Sequence, residues 1–90
     1  MSVLVASGTA AADSLDFTLT SGQSTTIWLA PATGQIATDH SALIQIRSAA
    51  GGYTTVCRLS FADPMRVLAS PGTFRVRKGA AVTAYTVERD

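Results

Sequence analysis

Asp39-His40-Ser41 brings the three residue types of a hydrolytic relay into one tripeptide. A relay needs a hydroxyl, an imidazole and a carboxylate whose side chains converge, and such triads assemble from separate loops. Three adjacent residues do not converge in that way, so the tripeptide reads as a loop with an Asx or Ser turn. Cys57 is the other possible nucleophile. A thiol is activated by a cationic or helix-terminal setting, but Cys57 lies on an alternating stretch with apolar neighbours, and Arg58 points to the opposite face. It reads as a buried structural cysteine. Asp13 with Asp16, and Glu88 with Asp90, could pair carboxylates for acid–base work, although both pairs read more simply as solvated surface. One cysteine and one histidine (His40) cannot fill a structural zinc site, which takes four such ligands, and a single cysteine closes no disulfide within the chain. The expectation is a protein that is not an enzyme and holds no metal or cofactor.

Six arginines against one lysine is the more informative ratio. The guanidinium is a planar fork of five donors suited to carboxylates, phosphates and protein interfaces. Arg58, Arg75 and Arg77 fall on outward positions of alternating stretches, where they could anchor a neighbouring protein. Trp28 is the corresponding apolar anchor. Two other ligands suit the same residue types. Basic strands with stacking aromatics describe an oligonucleotide-binding barrel, yet the net charge is only +1 and aromatics are 7% of the chain, so nucleic acid is disfavoured. With Phe17 and Phe74 facing inward, Trp28, Tyr53 and Tyr85 are the candidate stacking groups, and such a set could stack on the sugar rings of a glycan.

These residues are carried by strands. Leu15, Phe17 and Leu19 alternate with polar residues, which predicts a strand with one buried face. Ser21-Gly22-Gln23-Ser24 supplies a turn, and residues 25–29 read as the returning strand until Pro31 and Gly34 break it. Residues 42–47 resume alternation with Ile44 and Ile46 inward. Ala50-Gly51-Gly52 signals a hairpin into the longest strand, residues 53–61. Residues 65–68 form another strand, and Ser70-Pro71-Gly72 fits a type II turn. Phe74 and Val76 then face inward while Arg75 and Arg77 face out. A last strand spans residues 81–88, where Val82/Ala84 and Tyr85/Val87 compete for the inner face. About seven strands joined by Gly/Pro turns predict an all-β fold, an antiparallel sandwich or small barrel. Residues 1–13 show neither turn signals nor periodicity and are expected to form a flexible arm that orders on a partner, with residues 14–90 as the single domain.

Charge is sparse and unevenly placed. Asp, Glu, Lys and Arg make up 14% of the 90 residues, against about 25% in ordinary domains. Residues 1–45 hold three aspartates and no cation; residues 46–90 hold all seven cations and three acids. A domain this small buries only roughly 60% of its unfolded surface and commonly gains support from association. With no disulfide or zinc site to supply it, a homo-oligomer or a larger assembly is expected. No stretch approaches the ~20 apolar residues of a membrane span, and the early run Val3-Leu4-Val5-Ala6 is too short for a signal sequence. The unpaired thiol fits assembly in a reducing cytoplasm.

Three pieces carry a resemblance: Ser21-Gly22-Gln23-Ser24-Thr25-Thr26-Ile27-Trp28-Leu29; Gly51-Gly52-Tyr53-Thr54-Thr55-Val56 leading into Leu59; and Val67-Leu68-Ala69-Ser70-Pro71-Gly72-Thr73-Phe74-Arg75-Val76-Arg77. With them the chain resembles small all-β virion proteins of tailed bacteriophages, of the capsid decoration (cement) or head-fibre type. The resemblance implies a structural protein of the virion, with the major capsid protein or other virion proteins as partners. It carries over no binding residue. The alternatives that remain open are a glycan-binding module of a fibre or tail and a small nucleic-acid-binding barrel.

Overall fold

Phe74, Val76 and Lys78 point to one side of a single strand while Arg75 and Arg77 point to the other, and that alternation sets the architecture. The computed structural model describes residues 2–90. Its strands are β1 (Ser2–Gly8), β2 (Ala12–Asp13), β3 (Phe17–Leu19), β4 (Thr25–Pro31), β5 (Ala42–Arg47), β6 (Tyr53–Leu59), β7 (Met65–Leu68), β8 (Gly72–Lys78) and β9 (Tyr85–Arg89). Sheet A has the order β1-β9-β4-β7. Sheet B has the order β2-β8-β5-β6, with β3 also paired to β8 beyond β2. Every strand pair is antiparallel. The fold is the expected all-β sandwich, built from the seven expected strands plus β1 and β2.

The inner faces supply the core. Val5, Ile27, Leu29, Leu68, Tyr85 and Val87 of sheet A meet Leu19, Ala42, Ile44, Leu59, Phe74 and Val76 of sheet B. Each large member that is fully buried contributes about 1.5–3 kcal/mol. In the last strand Tyr85 and Val87 occupy the inner face, and Val82 lies in the preceding loop, fully in solvent.

The connections differ from the sequence reading. Among the described residues only β5–β6 is a hairpin within one sheet. Its loop is closed by the Ser48 and Gly52 backbones, with Gly51 at φ 92°. The turn expected at Ser21–Ser24 forms one residue earlier, closed from the Gln23 amide to the Thr20 carbonyl around Gly22 at φ 85°, but it carries the chain from β3 in sheet B to β4 in sheet A. The Pro71-Gly72 segment likewise links β7 of sheet A to β8 of sheet B, so it makes no hairpin. Gly72 has φ 152°, far from the roughly +80° of a type II turn, because it already pairs with Leu19. Turn residues reverse the chain; the buried faces on either side decide which sheet receives it.

Residues 2–13 do not form the free arm expected of them. Strand β1 pairs with β9 and β2 with β8, so the segment belongs to both sheets. Two register shifts, between Val3 and Val5 and between Val5 and Gly8, break the two-residue period, which is why no pattern marks this strand in the sequence. Leu15, expected inward, is 89% exposed. The chain leaves the ladder between β2 and β3, and there Ser14 takes over: its amide donates to the Val76 carbonyl and its hydroxyl accepts from the Val76 amide, both at 2.8 Å.

Candidate functional site

The outward face of sheet B collects the arginines. Register places Asp13, Arg77, Leu43 and Arg58 in one row across β2, β8, β5 and β6. Arg77 Nε donates to Asp13 at 2.9 Å, and Arg75 lies 3.7 Å from the same carboxylate. Arg75 also donates to Gln45 at 2.9 Å, and its guanidinium covers the Tyr53 ring at 3.6 Å. Tyr53 in turn donates to Asp16, which pairs with Arg47 at 3.5 Å. That hydrogen bond to Asp16, with some burial, raises the Tyr53 pKa above 10.0. Exposed pairs of this kind contribute little each, but together they leave few free charges on the face. Of the three arginines expected as anchors, Arg75 is thus occupied within the chain, and Arg77 shares Asp13 with it. Arg58 makes no ion pair, hydrogen bond or aromatic contact among the described residues. A shallow cleft of about 340 Å³ opens beside it, lined also by Leu43, Arg77, Ser41 and Gly79.

The outward face of sheet A is different in kind. Val3, Glu88, Trp28 and Met65 form a row across β1, β9, β4 and β7, and Val67 sits beside Thr26. Met65 and Val3 are mostly exposed, Val67 is 65% exposed, and Trp28 is half-buried. Trp28, named from the sequence as a candidate apolar anchor, lies on this face with Met65 and Val67 as neighbours that the sequence alone did not single out.

A second cleft, of about 410 Å³, lies between the open edges β6 and β7 and is lined by Ile46, Val56, Cys57, Val67, Leu68 and Phe74. Strand β6 carries a bulge with Val56 as the extra residue, since Ile44 pairs with Cys57 and Gln45 with Thr55. Cys57, expected to be buried, packs against the core beside Ile44 but is only half-buried, because β6 is an edge strand and the residue lines the cleft wall. Bulges on edge strands oppose indiscriminate pairing with other chains.

The chemistry-bearing loop residues are built into the interior. His40 is fully buried and stacks on Tyr85 with ring centroids 4.2 Å apart. Its Nδ1 accepts from the Ala37 amide at 3.2 Å, which leaves Nε2 as the donor toward Thr83 Oγ1 at 2.8 Å. Asp39 accepts from the Val82 amide, and Ser41 meets Tyr85 through its backbone. The three residues are held apart in separate bonds and form no relay. Lys78 is 1% exposed, and its ammonium donates to the Gly8 carbonyl at 2.7 Å, to Tyr85 at 3.1 Å and to Ala6 at 3.4 Å. Burial pushes the Lys78 pKa below 10.5 and the Tyr85 pKa above 10.0. The Tyr85 hydroxyl donates to the carbonyls of Ser41 and Gly79. Tyr85, expected as a possible stacking group on the surface, is fully buried. The face of Tyr53 is covered by Arg75, so of the three aromatics considered for sugar or base stacking, Trp28 is the one left on an open face. Among the described residues, no three of His, Cys, Asp and Glu come together as metal ligands would.

No protein-family model matches the chain, and no curated protein matches it in sequence. Among solved structures it is similar to the SPBc2 prophage-derived protein YomS, with a TM-score of 0.72 at 9% identity over 97% of this chain and 86% of that one. At that identity the likeness is one of fold. The two-sheet arrangement that positions these surfaces is therefore also the fold of a prophage-derived protein.

Proposed function

We propose that this chain is a non-catalytic structural protein of a phage particle, with decoration of the capsid shell as the favoured role. The observation that carries the reading is the contrast between the two outer faces. Sheet A presents Val3, Trp28, Met65 and Val67 with Glu88 as the one ionisable residue in their row, whereas the ion pairs of sheet B are largely closed within the chain. A face with one ionisable residue among apolar ones docks on protein while stripping water from few unpaired ions, a step that costs several kcal/mol per ion. The shared fold with a prophage-derived protein supports a phage-related role. In this reading the partners are the major capsid protein or other virion proteins, the site of action is the virion, and self-association through the same face is expected. The glycan and nucleic-acid alternatives lose two of their three stacking groups, Tyr85 to the core and Tyr53 to Arg75.

The test is sedimentation with purified tailed-phage shells that lack the protein. The wild-type chain is expected to travel with the shells, and the double variant Met65→Ser/Val67→Ser to stay in the supernatant while keeping its fold by circular dichroism. A wild-type chain that ignores shells and is retained on host polysaccharide would overturn the proposal in favour of the glycan module.

A further inference from the structure

We infer that the cleft between Arg58 and Arg77 is a carboxylate site, and that its occupant is an aspartate or glutamate side chain on an acidic segment of a partner protein. Three observations meet there. The first is register: Arg77 pairs across Leu43 with Arg58, so two guanidinium groups flank one apolar residue on the same outer face. Neighbouring strands lie about 4.8 Å apart, which sets the two backbones roughly 10 Å from one another. Side chains as long as arginine can close on one anion from that separation.

The second is charge balance. Asp13 is the acid nearest the row, and it serves both Arg75 and Arg77. Asp16 is held by Arg47 and Tyr53, Asp63 by Arg66, and Asp90 by Thr25 and Thr26. Arg58 is left with no acid among the described residues, beside a second arginine whose acid is shared. A further carboxylate would complete the row, and bidentate binding to it is the geometry guanidinium groups favour.

The third is the lining. Ala11, Ala42 and Leu43 contribute the apolar wall, and Ser41 and Gly79 the polar end. An apolar wall below two cations fits the methylenes and head of an acidic side chain. A polyanion fits poorly. Asp13 and Asp16 lie on the same face and repel a continuous phosphate backbone, and the cation row stops at Arg58, on the edge strand. A second copy of this chain also fits poorly, since four of its six acids are already held by the ion pairs and hydrogen bonds above, Asp39 is bound to the Val82 amide and Glu88 to Thr86.

That the acid comes from a virion protein rests on the particle reading above; the carboxylate site does not, and the two can fail separately. Shell sedimentation reads the first, and the isolated protein reads the second. On 15N-labelled protein, the arginine Nε–Hε resonances are followed as glutarate, a glutamate–alanine peptide, inorganic phosphate or a thymidine oligonucleotide is added. Arg58 and Arg77 are expected to shift saturably with both carboxylate probes, the peptide binding more tightly, while Arg66 and Arg89 stay in place. Arg58→Gln is expected to weaken the peptide roughly tenfold, the loss of one charge-assisted contact. As an exposed position on an edge strand it should leave the thermal midpoint near wild type. Uniform movement of all arginines, or no movement, would overturn the site. Glutarate binding as tightly as the peptide would overturn the protein partner in favour of a free small acid, and displacement of the peptide by the oligonucleotide would overturn it in favour of nucleic acid.

Discussion

The ammonium of Lys78 lies 4.7 Å over the ring of Tyr85 and donates to the carbonyl oxygen of the same residue at 3.1 Å. On the phenol side, Tyr85 stacks on His40 and holds the carbonyls of Ser41 and Gly79. One aromatic residue thus joins a buried cation from β8 to the loops before β5 and after β8, and the same cation ties β1 into place through Ala6 and Gly8.

Lys78→Met should destabilise the fold by about 1–3 kcal/mol, the cost of leaving buried carbonyls without their donor, and amides of β1 should lose protection from hydrogen exchange first. The pH dependence has a definite sign. Burial holds the folded Lys78 pKa below 10.5, so between that lowered value and 10.5 the unfolded chain binds more protons and stability rises with pH. Tyr85, raised above 10.0 by burial, keeps its proton longer when folded, so its contribution falls as pH climbs past 10.0. Urea midpoints across this range should show both limbs in the wild type. Only the tyrosine fall should remain in Lys78→Met, and a variant that keeps the rise would sink this account of the lysine.

Arg75 and Arg77 look equivalent in the sequence and should separate on replacement. Arg75→Ala removes the cover over Tyr53, the bond to Gln45 and the contact with Asp13, and is expected to cost about 1–2 kcal/mol. Arg77→Ala removes one half-exposed pair and should cost less than about 1 kcal/mol. Chemical denaturation of the two single variants decides it; equal losses would mean that the contacts of Arg75 with Tyr53 and Gln45 together contribute nothing.

Acid should act through Asp90. Its carboxylate accepts from the Thr25 hydroxyl at 2.7 Å and the Thr26 amide at 2.9 Å, bonds that hold its pKa below 3.8. A carboxylate depressed in the folded state contributes stability that is complete above 3.8 and is lost as pH falls through the lowered folded value. Asp90→Asn is expected to show a shallower decline over that acid interval when thermal midpoints are compared with wild type. An identical acid limb in both proteins would remove Asp90 from the acid response.

The all-β class, the inward faces of Ile44, Phe74 and Val76 and the outward arginines were legible because each follows the two-residue period of a half-buried strand. Lys78 continues the inward series from Phe74 and Val76, so the same period held the signal for the buried lysine; its charge concealed it, because a buried ammonium is not expected until three carbonyls are seen to meet it. Strand β1 was not legible, since its register shifts erase the alternation. Leu15 misled for the opposite reason: it keeps the alternation but sits where the chain steps out of the ladder. Sheet membership was beyond local patterning. Gly22 marks a turn and Pro71-Gly72 has the composition of one, but turn chemistry does not say whether the next strand pairs with the last one or crosses to the opposite layer. The surfaces divide in the same way. Arg58 and Arg77 could be placed by their outward positions and Trp28 only by its residue type, but that Arg58 lacks a partner, or that Met65 lies beside Trp28, depends on which strands become neighbours.

Among the described residues strand β1 has β9 as its one partner strand, with Ser2 opposite Arg89. Before β9 only the Lys78 ammonium of β8 meets carbonyls of β1, at Ala6 and Gly8, so the strand gains its ladder from residues late in the sequence. Loop closure between ends so distant, repeated by crossings from sheet to sheet, places folding in the slow range of non-local β topologies. Until β9 arrives, β4 and β7 can pair with each other, but Val5 and the inner face of Ile27 and Leu29 have no complete layer to enter. The sandwich is therefore sealed by its last strand, and a nascent chain stalled short of Tyr85 would display its interior to the cell.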